Sequence, residues 1–207
     1  MRRFLSSILI AGALALVVPS AASAQDAPDN LDMSVSENMA VPAVPQKAHR
    51  YVASAMDQLR RYFVKDGYAA EMLRDGEVLR ITIQCDKLFA PGAVALKPSA
   101  GVVLKPFAMV VREPGKYKML VAVHTDDTGD AVYSDSISAT RANAIDDYLW
   151  QLADQKETNV IPYGLAHDEP LVPDNSLANR ATNRRVEFII IPDTEMLRAA
   201  GVKIKNK

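Results

Sequence analysis

Apolar residues first fall into a regular pattern at Lys47. From there Tyr51, Val52, Ala55, Met56, Leu59, Tyr62 and Phe63 recur at helical spacing up to Asp66-Gly67. This predicts an amphipathic helix of about five turns, with Arg60, Arg61 and Lys65 suiting the negative end of its dipole. The period then shifts to two. A short strand at 70–73, a turn at Asp75-Gly76 and a second strand at 78–84 make a hairpin, because Leu79, Ile81 and Ile83 alternate with Arg80, Thr82 and Gln84. A helical pattern returns over 97–111 through Val103, Phe107 and Val110, where Pro106 forces a kink or divides two shorter pieces. Tyr117 to Val123 reads as a strand, Ser134 to Ala153 as a helix, and Asn159 to Tyr163 as a further strand. A long polar connection follows, with a short helix near 176–181. Arg185 to Ile191, apolar on both alternating faces, closes the sheet. The pattern predicts a chain in which strands and helices are interspersed.

The flanks carry different signals. Arg2 and Arg3 precede an apolar stretch ending in Ser20-Ala21-Ala22-Ser23-Ala24, which reads as a signal peptide over residues 1–24. Its apolar core is shorter than the roughly 20 residues that cross a bilayer, so no integral membrane segment is expected after cleavage. Residues 25–46 are acidic and proline-dotted and read as a flexible leader. The helix and the start of the hairpin occupy 47–77, the main domain 78–192, and a basic tail 193–207. The single cysteine, Cys85, rules out an internal disulfide in an exported protein. A net charge of -1 with no concentrated basic face argues against a nucleic-acid surface.

Chemistry concentrates in the stretch His124-Thr125-Asp126-Asp127-Thr128-Gly129, just past the carboxyl end of a strand. The residue types suit a metal, but adjacent carboxylates diverge and a zinc site needs three or four convergent ligands; no metal and no cofactor is expected. Hydrolysis would need paired carboxylates or a serine, histidine and acid in mutual reach, and no nucleophile-elbow pattern surrounds the nearby serines, so the chain is expected not to be an enzyme. A third reading uses both signs of charge. Asp126 could receive an amine, and Arg141 on the following helix could hold a carboxylate bidentately, which together suit a zwitterion. Direct pairing of Asp126 with Arg141, fixing the loop on the helix, remains the alternative.

The runs VAVHTDDTGDAVYSDSISATRANAIDDYL and YGLAHDEPLVPDNSLANRATNRRVEFII together resemble the OmpA-like (OmpA/MotB C-terminal) peptidoglycan-binding family. Its pattern is His-Thr-Asp, then Gly, Tyr-Asn, Leu-Ser and Arg-Ala, closed by Asn-Arg-Arg-Val-Glu, and the likeness covers about 78–191. The resemblance implies an α+β fold, a two-layer α/β sandwich built as a β-α-β-α-β domain with a mixed sheet, preceded here by the helix and hairpin. It also implies binding, without chemistry, of the peptidoglycan stem peptide at a diaminopimelate-type residue. Carried over, the ligand-binding positions are Asp126 and Arg141, with His124, Thr125, Asn183 and Arg184 lining the same pocket and Gly129, Ser134 and Ser138 shaping the loop. Departures are Ser134 where the family has asparagine, Val123 where glycine is common, and an altered spacing across Ala166 to Pro170.

The expected role is anchoring in the periplasm, associated with the cell wall, with the inner face of the outer membrane as a candidate place. An envelope protein could be engaged through the Lys47–Lys65 helix. The competing expectation is a scaffold of an envelope complex that keeps the fold without wall binding.

Overall fold

The computed structural model describes residues 30–31, 44–154 and 159–204; the expected signal peptide and most of the leader lie outside them. Five strands form one mixed sheet in the order β2-β3-β6-β4-β5. These are β2 (Ala69–Leu73), β3 (Val78–Gln84), β4 (Tyr117–His124), β5 (Val160–Ala166) and β6 (Arg185–Pro192). β4 and β5 run parallel, and all other neighbours are antiparallel. A separate two-stranded pairing joins β1 (Asn30–Leu31) to β7 (Lys203–Ile204).

The main core lies on one face of the sheet, under the helices. α1 (Gln46–Lys65) buries Ala48, Val52, Met56, Leu59 and Phe63, a stripe with steps of three and four residues. Its end is marked by Gly67 at φ 83°, a left-handed position that glycine occupies without strain. Phe63 meets Phe107 at a centroid distance of 4.8 Å, and Phe107 meets Phe188 of β6 at 4.0 Å. These contacts make α1 part of the same core as the sheet. Tyr51 and Tyr62, which the periodicity put on the apolar side, stay 51% and 39% exposed. The opposite face of the sheet buries a smaller cluster built from strand residues, Val78, Leu120, Ala122, Ile189 and Ile191.

The stretch 97–111, where Pro106 was expected to kink the helix or divide two shorter pieces, forms α2 (Ala100–Leu104), a 3-10 turn at Lys105–Phe107 and α3 (Ala108–Val111). Pro106 has no N–H to give and its ring crowds the preceding turn. α4 runs from Ala131 to Ala153, three residues earlier than expected, because the Asp130 side chain accepts the Tyr133 N–H at 2.8 Å and caps it there. Residues 193–204, expected as part of a tail, carry α6 (Thr194–Ala199) and β7. Met196, Leu197 and Val202 are buried there, with Asp193 capping α6.

The fit of α4 on β5 is tight at one point. A Cβ on Gly164 would overlap the backbone nitrogen of Ala139 and come within 2.7 Å of the Ser138 Oγ. Helix backbone cannot retreat as a side-chain tip can, so Gly164→Ala should destabilise the protein by about 1 to 3 kcal/mol. Urea denaturation would measure it, and an unchanged midpoint would show that α4 slides freely on the sheet.

Candidate functional site

The sheet brings three distant segments to one edge. β4 and β3 both end where β6 begins, since Val123 pairs with Val186 and Gln84 with Arg185. The loop after β4, the Cys85-Asp86 turn and Arg184 therefore meet. A bulge at the end of β4 pairs Val123 with Gly164 but His124 with Ala166, and the Thr125 N–H donates to the Ala166 carbonyl at 2.6 Å. Ser138 Oγ accepts the Ala166 N–H at 3.2 Å. The β4 exit is thereby clamped between β5 and α4.

Asp126 is 5% exposed and its carboxylate is engaged. One oxygen takes Arg184 Nη1 at 2.6 Å and the other takes the Thr128 N–H at 3.0 Å. Burial alone would raise this carboxyl, but the hydrogen bonds from Arg184 and Thr128 outweigh it and hold the acid below its ordinary value. Arg184 also reaches Asp86 at 3.4 Å, and its carbonyl accepts the Cys85 N–H at 2.9 Å. The pairing of Asp126 is thus with Arg184, and no Asp126–Arg141 ion pair occurs among the described residues.

Arg141, 6% exposed, is held by neutral groups. Nε donates to the Ala93 carbonyl at 2.8 Å, Nη1 lies 3.6 Å from the Cys85 sulfur, and the guanidinium sits 5.0 Å above the Phe89 ring. These contacts use two of five donors. The segment supplying them is closed by the Phe89–Leu96 bridge and by the Lys97 N–H on the Leu88 carbonyl at 2.8 Å. Cys85 sits between the two arginines, touching one with its sulfur and the other with its backbone. Burial pushes its thiol up, against the pull of the Arg141 charge, so it is an un-ionised contact.

The remaining expected residues divide. Thr125 and Ser134 are buried, and their hydroxyls have no partner among the described residues; Ser134 lies two turns before Arg141 on the inner side of α4. Gly129, at φ 97°, lies where a Cβ would come 2.9 Å from the Tyr133 ring, so a side chain at this turn would meet both strain and a clash. Asn183, on α5 (Leu177–Asn183), has its amide spent on the loop before it. It accepts from the Leu171 and Val172 N–H groups and donates to the Val172 carbonyl and Asp174. It braces the pocket wall. His124 points to the helix-free face, beside Arg80 and Arg185, away from Arg141.

Residues missed by sequence reasoning are Cys85, Asp86, Phe89 and Ala93, together with the Asp127–Arg180 pair at 2.7 Å that ties the loop to α5. The Ala93–Arg141 contact spans 48 positions, and no local periodicity carries that information.

Residues 88–184 match the model of the OmpA family. The chain carries an OmpA-family domain. A crystal structure of a MotB-like protein from Desulfovibrio vulgaris superposes with a TM-score of 0.60 at 27% identity, covering 70% of this chain and 96% of that one. The cell wall anchor of the T6SS from Pseudomonas aeruginosa shares the fold, with a TM-score of 0.53 at 24% identity and the same coverage. In Escherichia coli (strain K12), YfiB is 29% identical over 104 residues, half of this chain and 64% of YfiB. YiaD is 27% identical over 127 residues, 61% of this chain and 57% of YiaD. The chain therefore spans less than two thirds of the length of either relative.

His124 sets a pH dependence for the domain. Burial, with Arg185 and Arg80 nearby, lowers its pKa to about 3. Neither ring nitrogen has a partner among the described residues. Its unfolded value is about 6.5. A depressed histidine contributes stability that is full above the unfolded value and lost as pH falls from there towards the folded one. At pH 5 the loss from this group should be about 2 kcal/mol. Comparing the pH dependence of unfolding in the natural protein and His124→Leu isolates it; equal slopes between pH 7 and pH 4 would mean that the ring is solvated.

Proposed function

We propose that the chain is a non-catalytic peptidoglycan binder that anchors itself, or a complex containing it, to the cell wall in the periplasm. The ligand is the stem peptide, held through a residue of diaminopimelate type bearing an amine and a carboxylate. One observation carries the reading: Arg141 is a buried cation held by a carbonyl, a thiol and a ring, with no carboxylate partner among the described residues. A guanidinium fixed on one edge offers its remaining donors to a planar anion, and a carboxylate matches that fork. Asp126, with lone pairs beyond those used by Arg184 and Thr128, supplies the negative side for an amine. The Thr125 and Ser134 hydroxyls add unspent polar groups nearby. The match of residues 88–184 to the OmpA family supports the ligand class, and the fold shared with the cell wall anchor of the T6SS from Pseudomonas aeruginosa is in keeping with the role.

The second reading is an envelope scaffold without wall binding. It is favoured by the Asp126–Arg184 pair, which leaves the aspartate already compensated.

Co-sedimentation with insoluble peptidoglycan separates the two. The natural protein should pellet, and Arg141→Ala should weaken binding by about 2 to 5 kcal/mol, that is by about 30-fold or more. A less than tenfold change would make Arg141 a structural residue, and no pelleting of either protein would favour the scaffold. Asp126→Asn should weaken binding of a stem peptide with a free amine, and should leave binding of its N-acetylated form at the level of the natural protein.

A further inference from the structure

A second concave surface lies far from this pocket. A groove of about 700 Å³ runs along the outer side of α1 and is closed by Met109 of α3 and by Lys116 and Tyr117 at the start of β4. β4 spans seven residue steps between Tyr117 and His124, so the groove and the pocket are about 23 Å apart along one strand.

The lining is selective. Lys47, Arg50 and Lys116 bring three cations, Tyr51, Tyr62 and Tyr117 bring three phenols, and no acidic side chain lines the groove. Lys116 is shared with Glu113 at 2.6 Å on the rim. Arg50 makes no ion pair among the described residues, and Tyr51 and Tyr62 are the exposed rings of α1 that the core does not use. The polar and apolar parts are segregated. Lys47 and Arg50 mark one end of the helix, while Leu59, Tyr62 and Met109 mark the other. From Lys47 to Tyr62 the helix rises about 22 Å, the length of about seven extended residues.

We propose that this groove docks an acidic, extended peptide segment of a partner protein. Its carboxylates meet Arg50, near the start of α1, and its apolar side chains enter between Tyr62 and Met109. Charge complementarity carries the choice of occupant, because arginine and lysine clusters recruit acidic motifs and tyrosine with arginine forms the energetic centre of peptide interfaces. A bilayer would meet a flat or convex amphipathic face, whereas this surface is concave. The inference does not rest on wall binding. Since pocket and groove occupy opposite ends of β4, one protein could hold wall and partner together.

The test uses a fluorescein-labelled peptide with three glutamates followed by leucine, tyrosine and two further leucines, and a counterpart with lysines in place of the glutamates. Saturable anisotropy is expected with the acidic peptide alone. Arg50→Glu should weaken it at least tenfold, and Tyr51→Ser should weaken it to a smaller extent; both side chains are exposed, so the fold is spared. Pelleting with peptidoglycan should be the same in all three proteins. A non-saturating signal would overturn the proposal, as would equal binding of both peptides or an Arg50→Glu protein that binds as the natural one does. Vesicles of phosphatidylglycerol that capture the natural protein but not Arg50→Glu, with no peptide binding, would assign the groove to lipid and overturn it equally.

Discussion

The site depends on the register of β6 between its two antiparallel neighbours. Pairing of Val186 with Val123 on one side, and of Arg185 with Gln84 on the other, fixes where β4 exits, where β3 exits and where β6 enters. A shift of one residue would move β6 side chains to the opposite face. Val186, Phe188 and Ile190 would leave the helix-side core, and Arg185 and Glu187 would enter it. That penalty holds the register, and with it the distance from Arg184 to Asp126. A pocket built on three strand ends gains its geometry from the core beneath it, which loops alone would not provide.

Within that frame the two arginines are treated differently. Arg184 is matched by Asp126 and Asp86, which makes it a brace between two turns. Arg141 is buried as deeply as Asp126 but faces a carbonyl oxygen, a sulfur and an aromatic ring. Burying a cation against neutral acceptors costs free energy unless an anion completes the arrangement. The same contacts fix its plane, so the cost of ordering the side chain is met on folding and not on binding. An incompletely paired and rigid guanidinium is what the proposed grip on a carboxylate requires.

Much of the fold was legible because it rests on local patterns. The alternation over Leu79–Ile83 and the stripe of α1 each report a buried face directly, and the two-sided apolar run of β6 reported cover on both its faces, though not its place between β3 and β4. The division of 97–111 at Pro106 was legible too, because a missing N–H is a local property of one residue. Motif matching selected Asp126 and Arg141, but the partner of each was not readable: Arg184 is 58 positions from Asp126 and Cys85 is 56 from Arg141. The direction of His124 was also hidden, because Tyr117 to Val123 is apolar almost throughout and shows no alternation that would assign the next residue to a face. Asn183 shows the limit of carrying a motif across. Its position is by the pocket, yet its hydrogen bonds go to the wall of the loop.

A tether must carry load between its attachment points without opening. β4 is buried along nearly its whole length and hydrogen-bonded on both sides, to β5 and β6. Such a strand opens only with the domain, unlike a loop or a terminal helix that can fray locally. The groove lies at one end of this strand and the charged pocket at the other. α1, which forms the groove's outer wall, is fastened to the same sheet through Phe63, Phe107 and Phe188. Load applied at the α1 face thus reaches the pocket through the central sheet and the aromatic core, and not through a linker. In the proposed role, wall attachment would be limited by the bond at Arg141 and Asp126, since the strand behind it is buried and paired on both sides.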